Sequence, residues 1–138
     1  MTEEQKDILL KDLCARLPYG VKMNHIADDE ISPGTLIGIA KDMITLQRLG
    51  GYEYVPVEHY KPYLFPLSNM TKEQEDEWYE AFIDPLIERI GRNARQEDLQ
   101  LQADAQAFGL ECLLKNHFDI YGLIPMGLAI DATGLNVY

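Results

Sequence analysis

The sequence predicts an α+β fold: an N-terminal helix, a small antiparallel sheet or SH3-like, partly open barrel, then two antiparallel helices and an apolar C-terminal clasp. Three observations predict it. Apolar residues recur at helical spacing behind capping signals near residues 2 and 71. Between these helical stretches, over residues 21–65, the period drops to two and short apolar runs are separated by polar or glycine turns. Between Asp119 and Asp131 the chain runs IYGLIPMGLAI, eleven residues without a charge. A chain of 138 residues suits one domain. Its expected regions are 1–70 (helix and sheet), 71–118 (helical pair) and 119–138 (clasp and tail).

Thr2 with Gln5 three residues on is a capping box. Ile8, Leu9, Leu13, Cys14 and Leu17 follow at helical spacing, so the first helix is expected over 3–16, ended by Pro18-Tyr19-Gly20. Val21, Met23 and His25 alternate with Lys22 and Asn24 as in a strand. Asp28-Asp29-Glu30 and Pro33-Gly34 are turns. TLIGIA (35–40) and MITLQRL (43–49) form a hairpin joined at Lys41-Asp42. Gly50-Gly51 turns the chain into a fourth strand, YEYVPVEHY (52–60), where Pro56 favours an edge or a bulge. KPYLFPLS (61–68) is held extended by its prolines. Four or five short strands with tight turns suit a curled sheet or small barrel.

Thr71 with Gln74 is a second capping box, and Glu73, Glu75, Asp76 and Glu77 favour a helix N-terminus. Trp78, Phe82, Ile83, Leu86, Ile87 and Ile90 make an apolar stripe, which Pro85 kinks or breaks near Ala81. After Gly91-Arg92-Asn93 a third helix is expected from about Gln96 to Asn116, with Leu99, Ala103, Ala107, Leu110 and Leu114 on one face. In the uncharged run, Gly122, Pro125 and Gly127 oppose a continuous helix. A short strand or single turn there would bury Leu123, Ile124, Met126, Leu128 and Ile130. At about 2 kcal/mol each, that burial is worth on the order of 10 kcal/mol before entropy, so the run reads as core, with a subunit or partner interface as the alternative. The tail ATGLNVY reads as surface or an added edge strand.

The formal charge is -11, from 12 basic and 23 acidic residues, and the excess is greatest over 71–104. Such a surface repels a phosphate backbone, so nucleic acid is disfavoured as a partner and a basic protein is easier. The opening MTEEQKDILL lacks the pattern of a secretory leader, and no apolar run approaches the roughly 20 residues of a membrane span. A soluble cytoplasmic protein is expected, with Cys14 and Cys112 as buried thiols.

Three strings, DLCARLPYGVK (12–22), KPYLFPLSNMTKEQ (61–74) and NHFDIYGLIPMGLAIDATGLNVY (116–138), resemble a family of small proteins encoded by phages, prophages and other mobile elements of gut anaerobes. They cover about 48 of the 138 residues. The family carries no assigned activity, so the resemblance implies a viral or mobile-element context and transfers no site residues.

Chemistry is sparse. His25, His59 and His117 share no helical spacing, and neither C-x-x-C nor H-E-x-x-H occurs. Neither a metal nor another cofactor is expected, although His25, His59 and Asp119 could meet through folding. No residue is assigned a catalytic role. Cys14 could pair with His25 or His117, and the carboxylates of Asp28-Asp29-Glu30 and of 71–80 read as a turn and a solvated helix face. The small-hydrolase alternative uses Cys14, His117 and Asp119. Aromatics are denser: Tyr52, Tyr54, Tyr60, Tyr63 and Phe65 form the candidate interaction surface. With Glu53 and Glu58 interleaved and few cations nearby, a base-stacking platform would lack its electrostatic half. The expected function is therefore a non-enzymatic interaction protein that binds a protein partner or itself, in its sharpest form an acidic inhibitor or decoy. A small nucleic-acid-associated barrel and a small hydrolase are the alternatives.

Overall fold

The computed structural model describes residues 1–28, 32–77 and 110–138. The stripe from Trp78 to Ile90, the break at Pro85 and most of the third helix lie outside the described residues, as do Asp29 and Glu30. The described part is α+β, with an N-terminal helix on a mixed sheet that does not close.

Helix α1 spans Glu3–Arg16. Its capping box is formed in both directions: the Thr2 hydroxyl accepts from the Gln5 N–H, and the Gln5 amide oxygen accepts from the Thr2 N–H. Leu17–Tyr19 tighten into a 3-10 turn and Gly20, at φ 66°, reverses the chain. The buried residues of α1 are Leu9, Asp12, Leu13 and Arg16, an i, i+3, i+4, i+7 stripe that includes an ion pair. Ile8 and Cys14 are exposed instead of packed. Centring the stripe on Leu9, Leu13, Asp12 and Arg16 turns them roughly 100° and 140° away from it.

Among the described residues the sheet has six strands in the order β4-β3-β2-β1-β5-β6, with β1 at Lys22–His25, β2 at Gly34–Ala40, β3 at Met43–Arg48, β4 at Gly51–Pro56, β5 at Tyr60–Leu64 and β6 at Ile130–Asp131. The first five pair antiparallel, while β6 runs parallel to β5, so the expected all-antiparallel sheet is corrected to a mixed one. The expected fourth strand also divides. It ends at Pro56, and the 3-10 turn Val57–His59 carries the chain across to β5. A proline has no N–H with which to continue a ladder. Leu9 and Leu13 of α1 pack with Val21, Met23, Leu36, Ile44, Leu46, Val57 and Leu64 in the core. Among the described residues, no helix is long and apolar enough to cross a membrane.

The C-terminal segment lies along the outer side of β5. Phe65 exchanges backbone hydrogen bonds with His117 and Asp119, and the Ala132 N–H donates to the Leu64 carbonyl. Between these anchors the Asp119 carboxylate accepts from the Leu123 and Ile124 N–H groups at 2.8 and 2.9 Å, which folds the chain back on itself. Leu123 and Leu128 are buried in the core cluster, with Ile124 packed against it. Met126, expected to be buried, is exposed. It lies in the exposed stretch Pro125-Met126-Gly127 of the turn between the buried Leu123 and Leu128.

The Arg16 guanidinium joins the two ends of the chain. Fully buried, it pairs through two nitrogens with the Asp12 carboxylate and also donates to the Phe118 carbonyl. Removing one partner of a buried pair leaves an uncompensated charge in the core. Arg16→Met is therefore expected to lower stability by about 3–5 kcal/mol in denaturant unfolding. Asp12→Leu combined with Arg16→Met is expected to recover most of that loss.

Candidate functional site: the open edge of the sheet

The five aromatic residues do not share one surface. Tyr52 and Tyr54 lie on β4 at one end of the strand order, and Tyr60 and Tyr63 on β5 with three strands between. Tyr60 and Tyr63 are 6% and 2% exposed, whereas Tyr52 and Tyr54 are 71% and 62% exposed. Phe65 is half-buried and makes an edge contact with Phe118 at 6.5 Å. The candidate site thus reduces to Tyr52 and Tyr54.

The register of β4 shows why both are exposed. Ile44 and Leu46 of β3 point into the core and stand opposite Val55 and Glu53. Tyr52 and Tyr54 stand opposite Gln47 and Thr45, so their side chains project from the other face, which α1 does not cover. On the helix side, Glu53 pairs with Arg48 at 3.0 Å. Arg48 in turn donates to the Ser32 carbonyl and to the Ser32 hydroxyl.

The backbone of β4 alternates as well. The Val57 N–H donates to the Asp42 carbonyl at 2.9 Å, making that pair hydrogen-bonded. In an antiparallel ladder, hydrogen-bonded and non-hydrogen-bonded pairs alternate. The register then assigns hydrogen-bonded pairs to Ile44/Val55, Leu46/Glu53 and Arg48/Gly51. The N–H and C=O groups of Tyr52 and Tyr54 point away from β3. Pro56 presents a carbonyl on that side and no N–H. Beyond β4, no further strand is paired among the described residues. The free edge is short: four backbone groups on two tyrosines, bounded by Pro56 and the Leu49-Gly50 turn.

The other edge is occupied, and its inner ladder contains an inserted hydroxyl. The Ile26 N–H donates to the His59 carbonyl, and the β1–β5 register makes Lys22/Tyr63 the next hydrogen-bonded pair but one. At Lys22 the direct bond is replaced: its N–H donates to the Tyr138 hydroxyl at 2.9 Å, and that hydroxyl donates to the Tyr63 carbonyl at 2.7 Å. The Tyr138 ring stacks on His117 at 3.7 Å.

The remaining candidates stand apart. Cys14 is exposed and Cys112 partly exposed, so neither is the buried thiol expected. Cys14 lies on α1 about 200° from Asp12, whose neighbour Arg16 contacts Phe118, so it faces away from His117 and Asp119. The Asp119 carboxylate is engaged by two backbone N–H groups. The His25 and His59 rings stack at 6.1 Å. Among the described residues no three His, Cys, Asp or Glu side chains come together to hold a metal ion. A cavity of about 390 Å³ between Phe65, Phe118, Gln74 and Thr133 is lined by aromatic, amide and hydroxyl groups without a titratable side chain. Asp12, Arg16 and Tyr138 were not among the sequence candidates. The available signal was two opposite charges, four apart, completing the Leu9/Leu13 stripe.

No family model, curated protein or solved structure matches the chain.

His117 sits at φ 62° with a buried, unpartnered Nδ1. Burial, reinforced by the charges of Arg16 and Lys22, pushes its imidazole down to about 4 from 6.5. The unfolded chain takes up this proton near pH 6.5, whereas the folded chain resists it until about pH 4. Stability is thus undiminished by His117 above pH 6.5 and is lost as the pH falls from there to about 4, by roughly 2 kcal/mol once solvent screening of this partly exposed ring is allowed for. His117→Asn, which tolerates the left-handed backbone, is expected to flatten this part of the stability–pH curve in denaturant titrations.

Proposed function

We propose that the chain is a non-enzymatic protein-interaction module that works by strand addition: an extended segment of a partner pairs with the free edge of β4. The observation that carries this is the outward orientation of the Tyr52 and Tyr54 backbone groups on a strand whose first four residues are exposed on both faces. Main-chain hydrogen bonds supply affinity in this mode of recognition, and side chains on alternate positions supply selectivity. The two tyrosines offer large, rigid contact surfaces at low entropy cost. The resemblance of three strings to mobile-element proteins supports a viral or host setting for the interaction. In the same reading residues 119–138 act as a clasp, supported by the Arg16–Phe118 bond and the pairing beside β5.

Tyr54→Pro tests this. It removes an outward N–H without costing a bond to β3, and edge strands tolerate proline. The variant is expected to keep the wild-type melting temperature within a few degrees. It is also expected to lose at least roughly tenfold in affinity for a protein that binds the wild-type chain stoichiometrically, measured by calorimetry. A folded Tyr54→Pro chain with undiminished affinity would overturn strand addition at β4.

A further inference from the structure

We infer that the segment received by β4 is the β4 strand of a second copy, in an antiparallel pairing about a two-fold axis through Glu53. This rests on the strand-addition reading and names the partner. The outward hydrogen-bonding groups belong to Tyr52 and Tyr54, placed symmetrically about Glu53. With the axis there, Tyr52 of each copy stands opposite Tyr54 of the other. Each such pair exchanges two N–H···O=C bonds, so all four outward groups of the two tyrosines are used. Moving the axis to Tyr54 sets Tyr52 against Pro56 and leaves the Tyr52 carbonyl facing a residue without an N–H. Moving it to Tyr52 sets Tyr54 against Gly50, which is already turning at φ 98°. One register therefore satisfies both tyrosines, and it is self-complementary.

Side chains agree on both faces. On the uncovered face Tyr52 packs against Tyr54 of the second copy, an aromatic cross-strand pair. On the helix side the two Glu53 residues oppose each other, each neutralised by its own Arg48 at 3.0 Å. Asp42, at the far end of the edge, is likewise held by Lys6 at 3.3 Å. The edge is thus locally neutral and does not select a basic segment, despite the charge of -11 on the whole chain. An isologous contact of this kind closes at two copies, since the β5 side already carries β6. The like net charges of two chains oppose the approach, and salt screens them. Raising NaCl from about 20 mM to about 300 mM is expected to tighten the dimer by roughly three- to tenfold. A complex with a basic protein would respond in the opposite direction.

The test uses register-specific disulfides in the full chain, with Cys14→Ala and Cys112→Ser removing the native thiols. In the non-hydrogen-bonded Glu53 pair the Cα atoms would lie about 4.5 Å apart, within disulfide range. Glu53→Cys is expected to form a covalent dimer on mild oxidation. Tyr52→Cys alone is not, but a mixture of Tyr52→Cys and Tyr54→Cys chains is. Sedimentation equilibrium of the unmodified chain is expected to show a salt-strengthened dimer that Tyr54→Pro abolishes. A wild-type chain that stays monomeric at about 1 mM in high salt, with Glu53→Cys uncrosslinked, would overturn the second-copy assignment. Strand addition itself would then still stand if a different protein binds wild type and is released by Tyr54→Pro. A dimer that survives Tyr54→Pro would also overturn the assignment, because the contact would lie elsewhere.

Discussion

The rest of the architecture depends on one buried cation. Arg16 lies with no exposed side-chain surface beneath the sheet, where a lone guanidinium would be strongly disfavoured. Its position is tolerable because Asp12, one turn earlier on α1, meets it through two oxygens and the Phe118 carbonyl takes a further N–H. Both partners are needed, and they come from opposite ends of the chain. Burying Arg16 therefore brings the 117–119 segment against α1. Once Phe118 is fixed, Phe65 can exchange backbone bonds with its neighbours, and Ile130–Asp131 can run beside Tyr63 and Leu64. Nη1 of Arg16 has no hydrogen-bond partner among the described residues, so the arrangement is held by geometry more than by complete satisfaction.

The result is a sheet with unequal edges. The β5 side is covered by the chain's own C-terminal segment, and the Tyr138 hydroxyl fills the last ladder position toward β1. Among the described residues the β4 side carries no further strand, and its outward groups span only a short stretch. Natural edge strands are commonly guarded by charges, prolines and bulges against unselective pairing. Here Pro56 ends the strand, the Leu49-Gly50 turn bounds its other end, and the Arg48-paired carboxylate of Glu53 lies between the two tyrosines. These features limit pairing to two residues and one register. Two exposed tyrosines stand at the positions whose N–H groups point outward, the opposite of a guarded edge.

Local features were legible in the sequence and long-range ones were not. Both capping boxes, the extent of α1 and the hairpin at Lys41-Asp42 depend on residues within a few positions of each other, and they form as the spacing predicts. The tyrosine cluster is dense in sequence yet divided in space. Pro56 ends β4, and the following turn sends the chain from one end of the strand order to near the other. Whether β5 returns beside β4 or beside β1 is decided by core packing, which residue spacing does not encode. The parallel strand β6 was hidden for the same reason, its two residues pairing with a strand more than sixty positions away. The charged pair Asp12/Arg16 carries no local sign of burial, because an i, i+4 ion pair on a helix is usually solvated and the distant Phe118 carbonyl supplies its further partner.

The unequal edges are tested most directly by residue-resolved amide exchange of the dilute wild-type chain, followed by NMR. Along β4 exchange is expected to alternate, slow at Glu53 and Val55, whose N–H groups bond to β3, and fast at Tyr52 and Tyr54. On the covered side, Phe65 and Ala132 should exchange slowly. Uniform protection of residues 52–55 under conditions where the chain is monomeric would show that another part of the molecule occupies the β4 edge, and would contradict the account.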